Sequence, residues 1–256
     1  MNEPRLALVH SESPRGRDAY SELADRWPFV PVDEADVIVA LGGDGFMLET
    51  LHAHMDHPKP VYGMNRGTIG FLLNDYRQDL LVERIASAER VTIHPLLMQA
   101  TDTGAVTHTY RAINEVSVLR YSHQSANLEI SINGDVFLEK LACDGLLVST
   151  PAGSTAYNLS AGGPVIPLGS NILALTPVSP FRPRRWRGAL LPNTVEIRIQ
   201  NLDPDKRPIG ASGDSKEVED VASVTITQDP DTDLTLLFDE GESLHERVLR
   251  EQFLSG

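Results

Sequence analysis

Cysteine is almost absent from this chain, since Cys143 is the single one among 256 residues. An intrachain disulfide framework is therefore excluded, and a zinc site built from cysteines is nearly so. Long apolar runs are also missing. The apolar run at residues 6–9 is far too short for the core of a signal peptide, and no stretch approaches the roughly 18 apolar residues of a membrane span. These absences predict a cytoplasmic protein without a membrane segment.

Positive charge is scarce as well. The chain has 22 Lys and Arg against 36 Asp and Glu, which gives a formal net charge of -14. Such a chain repels a phosphate backbone, so we expect no nucleic-acid partner. The same field opposes anionic nucleotides, so any site for them must be locally positive or assisted by a metal ion. The basic run at residues 181–187 either attracts phosphates or forms a solvated loop, and a solvated loop is the slightly better interpretation.

The pattern of apolar residues divides the chain into three segments. Over residues 1–90 short apolar runs alternate with helical stripes, which predicts βαβ units and a parallel sheet in an α/β nucleotide-binding-like domain. Over residues 91–238 short strands dominate, and Asn133-Gly134 between two alternating runs predicts a hairpin. Residues 239–256 are predicted to contain a C-terminal helix, over residues 243–254, that returns to the first domain.

The most informative short segment is the turn Gly42-Gly43-Asp44-Gly45, which lies between a buried strand and a helix. Its glycines let the backbone approach a ligand, and the following helix presents free N–H groups to an anion. An acidic residue at this point repels phosphate. Asp44 therefore either serves chemistry, by orienting a hydroxyl, accepting its proton or holding Mg²⁺, or caps the helix. No GxxxxGK[ST] loop is present.

Two further features carry possible contacts to a nucleotide. Two glycines three residues apart precede Phe71, which offers an aromatic face or packs in the core beside a turn. Asn114-Glu115 lies inside a strand-like run over residues 110–119. An amide and a carboxylate together suit the paired hydroxyls of a ribose, as donor and acceptor. The alternative is an ordinary surface pair on an edge strand.

The longest motif is DGLLVSTPAGSTAYNLSAGGP, residues 144–164. A buried strand runs into a turn of small and hydroxyl-bearing residues and then into a short helix. Small residues leave space for a planar base, and Ser, Thr, Tyr and Asn supply directional hydrogen bonds. A turn this dense in Gly, Ser and Thr is seldom only a connector.

In order and spacing, the GGDG turn, the GTIGFL segment, the Asn-Glu pair and residues 144–164 resemble the NAD kinases. GGDG is shared with lipid kinases, whereas the DG…STPxGSTAYxxS run is far more specific. The resemblance implies an α/β domain with a Rossmann-like parallel sheet and helices, followed by a β-rich, β-sandwich-like domain. It implies transfer of a phosphoryl group from ATP or polyphosphate to the adenosine 2′-hydroxyl of NAD, giving NADP, with a divalent metal ion such as Mg²⁺.

The resemblance also assigns residues to roles. Asp44 matches the catalytic aspartate, and Gly42, Gly43 and Gly45 match the loop at the phosphate donor. Asp144 matches a carboxylate that reaches NAD across a subunit interface, which implies a homodimer or homotetramer. No residue is assigned as a metal ligand. The positions that match NAD-binding residues are Asp44, Gly45, Phe71, Asn114, Glu115, Asp144, Ala152, Thr155, Ala156, Tyr157, Asn158, Leu159, Ser160 and Val178.

The chain departs from the family pattern at three places. Ala152 stands where some members carry a hydroxyl residue, and Ala142-Cys143 replaces a pair that often includes a basic residue. The late Asp-Gly pair of the family is Asp214-Ser215 in this chain. Two other functions are weighed: a lipid or sugar kinase that shares GGDG, and a non-catalytic NAD-binding regulator, against which the intact catalytic aspartate argues.

Overall fold

The structure is a computed structural model that describes residues 3–68, 70–184 and 186–241. The helix predicted over residues 243–254 lies outside the described residues. The chain forms two compact units. The first runs to Ile93 and resumes at Thr232, and the second spans His94–Asp231. Within the described part of the chain, no helix is both long and apolar enough to cross a membrane.

Seventeen strands and four helices are described, and strands dominate the second unit. The helices are α1 (Pro14–Ala24), α2 (Asp44–Ala53), α3 (Leu81–Ser87) and α4 (Tyr157–Ser160). The strands are β1 (Leu6–His10), β2 (Val37–Gly42), β3 (Val61–Asn65), β4 (Glu89–Ile93), β5 (Leu96–Asp102), β6 (Thr107–Ala112), β7 (Glu115–Arg120), β8 (Ala126–Ile132), β9 (Asp135–Cys143), β10 (Gly145–Ser149), β11 (Ile172–Val178), β12 (Ala189–Pro192), β13 (Ile197–Asn201), β14 (Ile209–Gly213), β15 (Lys216–Val218), β16 (Val221–Gln228) and β17 (Leu234–Phe238).

The first unit is an α/β unit built on a five-stranded mixed sheet in the order β1-β2-β3-β17-β4. The first four strands of this order run parallel, and β4 pairs with β17 in the antiparallel direction. Every residue of β2 is buried, as expected for an apolar run covered on both faces. α1 packs on the sheet through Ala19 and Leu23, and α3 does so through Leu81 and Ile85.

The last strand, β17, differs from the sequence-based boundary. The sequence predicts residues 91–238 as the β-rich domain, whereas β17 lies in the sheet of the first unit, between β3 and β4. Its residues Leu236, Leu237 and Phe238 are almost completely buried. Because a strand buried on both faces needs neighbours on both edges and layers on both sides, it fits inside this sheet.

Two six-stranded sheets make up the second unit, in the orders β12-β11-β10-β7-β14-β15 and β6-β5-β16-β13-β8-β9. Their inward residues form one hydrophobic core that includes Met98, Val118 and Ile197. The predicted hairpin is confirmed: β8 and β9 pair in the antiparallel direction. The φ angles of Asn133 and Gly134 are 52° and 88°, the positive values that a tight hairpin turn requires.

One predicted strand is wrong. The sequence suggests a single strand-like run over residues 110–119, but β6 ends at Ala112 in one sheet and β7 begins at Glu115 in the other. Ile113 and Asn114 form the connection between the two sheets. The amides of this connection pair with a side chain instead of a neighbouring strand, which is why the ladder stops here.

Candidate active site

The Asp44 carboxylate is oriented by backbone amides from another segment of the first unit. Gly43 is the N-cap of α2, and its extended backbone places Asp44 at the first helical position. The N–H of Phe71 donates to Asp44 Oδ2 over 2.9 Å, and the N–H of Leu72 donates to Oδ1 over 3.0 Å. Asp44 is therefore not the helix cap, and its half-buried carboxylate has a defined orientation.

Two glycine segments touch beside this carboxylate. A Cβ added to Gly67 would lie 3.1 Å from the Cα of Gly43, so a bulkier residue at Gly67 needs a small shift of the facing turn. A Cβ added to Gly42 would lie 2.6 Å from the side chain of Phe46. By contrast, a Cβ added to Gly45 would meet no protein atom within 4 Å. The three glycines of the GGDG turn thus differ: Gly42 is required by packing, a Cβ on Gly43 would make an ordinary contact 3.7 Å from the Cα of Gly67, and Gly45 leaves space at the start of α2.

Arg66 supplies positive charge next to this turn, although the sequence motifs did not single it out. Its N–H donates to the Gly42 carbonyl over 2.7 Å, which fixes the segment after β3 against the end of β2. Its guanidinium donates through Nε to the Arg15 carbonyl over 3.2 Å. It also lies 4.2 Å from the ring centroid of Tyr76. The adjacent Phe71 is half-buried and contributes its amide to Asp44.

In the second unit, Asn114 and Glu115 carry buried side-chain acceptors. Asn114 Oδ1 and Glu115 Oε2 are both buried and make no hydrogen bond to any part of the chain that the structure describes. Leaving a buried acceptor unpaired costs about 1–3 kcal/mol. Native proteins retain such atoms at few places, among them sites that bind a ligand. Unpaired acceptors on two consecutive residues suit the paired hydroxyls of a ribose, which can donate to them.

The pKa of Glu115 is raised from 4.5 to about 7, first by burial and then by the negative charge of Asp214. Its carboxyl group therefore titrates near neutral pH. Perturbed carboxyl groups of this kind concentrate at functional sites. The partner of Glu115 on the neighbouring strand β10 is Ser149, which is uncharged.

Asp214 is the residue that the sequence interpretation missed as part of this site. It follows β14 and adopts a left-handed conformation with φ 48°. Its carboxylate accepts hydrogen bonds from the amides of Ile113, Asn114 and Glu115, over 2.6, 3.0 and 3.3 Å. One signal could have identified it: Asp214 keeps the aspartate of the late Asp-Gly pair of the family. In the sequence, only the departure from that pair at Ser215 was recognised.

The turn after β10 is stabilised by its own hydroxyl groups. Thr150 donates through Oγ1 to the Ile113 carbonyl over 2.7 Å and accepts the N–H of Gly153 over 3.1 Å. Ser154 accepts the N–H of Ile166 over 2.9 Å. A Cβ on Gly153 would lie 2.2 Å from the Asn114 carbonyl oxygen, so only glycine fits there. The turn is thereby packed directly against the Asn114-Glu115 segment.

The side chain of Asn158 is used inside the protein. It is fully buried, donates through Nδ2 to the carbonyls of Ser154 and Pro164 over 3.2 and 2.8 Å, and accepts the Thr176 hydroxyl through Oδ1 over 2.6 Å. A Cβ on Gly163 would lie 2.1 Å from Asn158 Oδ1. Asn158 therefore connects the turn, α4 and β11, and its side chain holds the shape of the loop.

The remaining assigned positions of the second unit lie in two groups. Ala152 is buried, Thr155 and Ala156 are half-buried, and Tyr157, Leu159 and Ser160 are exposed along α4. Asp144 and Val178 are joined by a hydrogen bond from the Asp144 N–H to the Val178 carbonyl over 2.9 Å. The Asp144 carboxylate also pairs with Arg120 Nε over 2.6 Å. Arg120 thus places a positive charge beside Asp144, a contact that the sequence did not predict.

No metal cage is preformed in the described ranges 3–68, 70–184 and 186–241, where no group of three His, Cys, Asp or Glu side chains could hold a metal ion. The chemistry available in the first unit is that of an oriented carboxylate at the start of a helix. In the second unit it is that of paired buried acceptors beside a hydroxyl-rich turn.

Two family models match this chain: the ATP-NAD kinase N-terminal domain over residues 23–80 and the ATP-NAD kinase C-terminal domain over residues 113–228. The NAD kinase of Hyphomonas neptunium is 54% identical to it and covers 99% of each chain. The NAD kinase of Caulobacter vibrioides is 55% identical over 97% of this chain and 96% of the relative.

Solved structures have the same fold. A yeast NADH kinase complexed with NADH has a TM-score of 0.84 at 22% identity and covers 100% of this chain and 90% of its own. An NAD kinase from Archaeoglobus fulgidus in complex with ATP has a TM-score of 0.75 at 23% identity, over 98% of this chain and 100% of its own. With both family models matched and relatives more than half identical over almost their whole length, this chain belongs to the NAD kinase family.

Proposed function

We propose that this chain transfers the terminal phosphoryl group of ATP to the adenosine 2′-hydroxyl of NAD, giving NADP and ADP. The observation that carries the proposal is the oriented carboxylate of Asp44 at the start of α2. The relatives at 54% and 55% identity are named NAD kinases, and structural neighbours were solved with NADH and with ATP. From those names we carry over the nucleotide donor and the dinucleotide acceptor. We also propose that the parallel strands of the first unit help to hold a nucleotide, as the strands of a Rossmann-like sheet do.

Asp44 acts as the general base in the proposed reaction. Its carboxylate orients the 2′-hydroxyl and takes its proton while the 2′-oxygen bonds to the γ-phosphorus and the bond to the ADP oxygen breaks. Each carboxylate oxygen has two lone pairs, so an oxygen that accepts an amide can also accept a hydroxyl. Phosphoryl transfer depends mainly on positioning and charge neutralisation. The amides of Phe71 and Leu72 supply the positioning of the base.

Asn114 and Glu115 hold ribose hydroxyls of the dinucleotide in this proposal. The support is the pair of buried acceptor atoms, Asn114 Oδ1 and Glu115 Oε2. Tyr157, Leu159 and Ser160 are exposed on α4 and can contact the dinucleotide directly. We assign Asn158 a supporting role, since its side chain is engaged with the carbonyls and the hydroxyl that fix the loop.

Mg²⁺ enters with the donor nucleotide. Because no group of three metal-binding side chains exists among the residues described, we treat the ion as part of the MgATP substrate. Its contribution is to neutralise the phosphate charge during transfer. Gly42, Gly43 and Gly45 form the loop at the donor phosphates, and Arg66 beside Gly42 gives this acidic chain local positive charge.

Self-association and location complete the proposal. We infer a cytoplasmic homodimer or homotetramer in which Asp144 serves a neighbouring copy. Within one chain the Asp144 carboxylate forms an ion pair with Arg120. In the oligomer this carboxylate would bind both Arg120 and the dinucleotide of the neighbouring copy.

The direct test is to incubate the purified protein with NAD, ATP and Mg²⁺ and to assay for NADP. Parallel reactions replace ATP by polyphosphate, NAD by NADH, and NAD by diacylglycerol or a sugar phosphate. Formation of NADP is the expected result. Phosphorylation of the lipid or the sugar without NADP, or binding of NAD without turnover, would overturn the proposal in favour of a related kinase or a regulator.

Asp44→Asn tests the base. We expect kcat to fall by about 10² to 10⁴-fold at saturating substrates, the usual contribution of a positioned base. Asparagine offers one acceptor oxygen where two amides donate, so the thermal midpoint should also fall. Assays are therefore made well below that midpoint. The matched control is Asp18→Asn, which removes one exposed charge from α1. Near-normal kcat in folded Asp44→Asn would remove Asp44 from the mechanism.

A further inference from the structure

We propose that Asp214 is a positioning residue for the acceptor pair formed by Asn114 and Glu115. The inference rests on the proposed function, because it assigns that pair to the dinucleotide. It adds a residue that acts on substrate binding through the backbone of the pair.

The geometry places one carboxylate over three consecutive amides. Oδ2 of Asp214 accepts the N–H of Ile113, and Oδ1 accepts those of Asn114 and Glu115. The Asp214 N–H in turn donates to the Glu115 carbonyl over 3.2 Å. Strand β14 pairs with β7 up to the pair Gly213 and Val116. One step further along the same register, Asp214 lies opposite Glu115. Three successive amides that converge on one anion form a recurrent anion-binding geometry.

The carbonyl groups of the same connection are fixed from the opposite direction. The Thr150 N–H donates to the Asn114 carbonyl over 2.9 Å, and its hydroxyl donates to the Ile113 carbonyl over 2.7 Å. Asp214 accepts from the amides and Thr150 donates to the carbonyls, so both the N–H and the C=O groups of residues 113 and 114 have fixed partners. The side chains of Asn114 and Glu115 extend from a backbone with little freedom to shift. Their buried acceptor atoms are thereby prepared before a substrate arrives.

A carboxylate is the side chain that suits these donors. Residues 113 and 114 lie between β6 and β7, so their amides have no partner strand. A buried amide without an acceptor loses its hydrogen bond to water and gains none in the protein, which destabilises the fold. An asparagine at this position would present its NH₂ group to at least one amide N–H, whereas two carboxylate oxygens accept all three. The left-handed backbone at φ 48° is one that both Asp and Asn adopt.

The negative charge of Asp214 has a second effect, on Glu115. Burial and then Asp214 raise the pKa of Glu115 to about 7. From the other side, strand β10 presents the uncharged Ser149. Removing the Asp214 charge should therefore lower the pKa of Glu115. A residue that only stabilised the fold would change the amount of folded enzyme and leave this ionisation in place.

The experiment compares Asp214→Asn with Asp220→Asn in steady-state kinetics over about pH 5 to pH 9. Asp220 is a matched control, because it is exposed and also left-handed, with φ 49°, at the next turn of the same unit. For Asp214→Asn we expect the KM for NAD to rise by about 10- to 100-fold, the range that small misplacements produce, while the KM for ATP stays unchanged. The acid limb of kcat/KM for NAD should move to lower pH. Asp220→Asn should change neither.

Asp214→Glu separates charge from position and also serves if Asp214→Asn does not fold. It keeps the charge but displaces the oxygens by one methylene, so the KM for NAD should rise while the acid limb stays near its original pH. A KM for NAD in both variants equal to that of Asp220→Asn would overturn the inference. So would a rise in the KM for ATP as large as that for NAD. If the unmodified protein makes no NADP, the proposed function fails, whereas normal NADP synthesis with unaffected Asp214 variants sinks this inference alone.

Discussion

Replacing Glu115 by glutamine should change the pH dependence of stability. The stability of the variant, measured against that of the unmodified chain, should be more favourable at alkaline pH than at acid pH. The pKa of Glu115 is about 7 in the folded protein against an ordinary 4.5, owing first to burial and then to Asp214. The folded state therefore holds this proton more tightly than the unfolded chain does. Stability from the protonated carboxyl is full below the ordinary pKa and is lost as the pH rises through the folded value. A neutral glutamine has no such dependence.

The magnitude follows from the two pKa values. A shift of one unit corresponds to about 1.4 kcal/mol, so the ionised carboxylate costs the folded state about 3 kcal/mol at about pH 8. At about pH 5 the cost is below about 1 kcal/mol, since the folded carboxyl is still protonated there. For a chain of this size, about 1 kcal/mol corresponds to about 2–4 °C in thermal midpoint. The midpoint of Glu115→Gln relative to the unmodified protein should thus improve by several degrees between these pH values.

Thermal unfolding of both proteins across this pH range is the assay, with Glu139→Gln on β9 as an exposed strand control. Glutamine carries its own cost of burying an amide, so the difference between the two pH values is compared and the absolute offset is not. Parallel stability curves for the unmodified protein and Glu115→Gln would refute the reasoning. Glu115→Gln should also raise the KM for NAD, because stability and binding conflict at such a site.

Further outcomes follow from other parts of the chain. Asp239→Asn breaks a buried network with Arg84 and the Tyr62 hydroxyl, both at 2.5 Å, and should cost about 3–5 kcal/mol in urea unfolding. Burial raises the pKa of Asp239, but the hydrogen bonds from Arg84 and Tyr62 outweigh this and lower it, so its stabilisation is lost as the pH falls. Gly45→Ala should raise the thermal midpoint slightly, since alanine favours the helix over glycine and its Cβ meets no atom of the described chain within 4 Å, while raising the KM for NAD. Sedimentation at assay concentration should give a dimer or tetramer, and a fully active monomer would contradict the role of Asp144.

The local motifs were predictable because their physical reason lies within a few residues. A buried strand, a glycine turn and a helix start are visible in residues 37–53, and β2 and α2 follow that order. Asn133-Gly134 specified its hairpin through positive φ at two adjacent residues. The family resemblance, carried by residues 144–164, is supported by both family models.

Long-range contacts were not predictable from the same patterns. The run over residues 110–119 has strand composition throughout, whereas at Ile113 and Asn114 the backbone bonds instead to the distant Asp214 and Thr150. Asn158 matches a dinucleotide-binding position, but the carbonyls that occupy its amide come from a loop whose path the sequence does not give. The place of β17 in the first sheet was not predicted for a similar reason. Its neighbours in that sheet, β3 and β4, are far from it in the sequence.

The two carboxylates Asp44 and Asp214 use the same interaction for different ends. Asp44 accepts two successive amides from residues 71–72, and Asp214 accepts three from residues 113–115. In each case a carboxylate accepts hydrogen bonds from successive backbone amides of a segment distant in the sequence. In the proposed mechanism the functional group at Asp44 is the carboxylate itself, whereas at Asp214 it is the pair of side chains carried by the bound backbone. Loss of either carboxylate therefore lowers stability and activity together. Only measurements that separate KM from kcat, and charge from position, can assign one as a base and the other as a support.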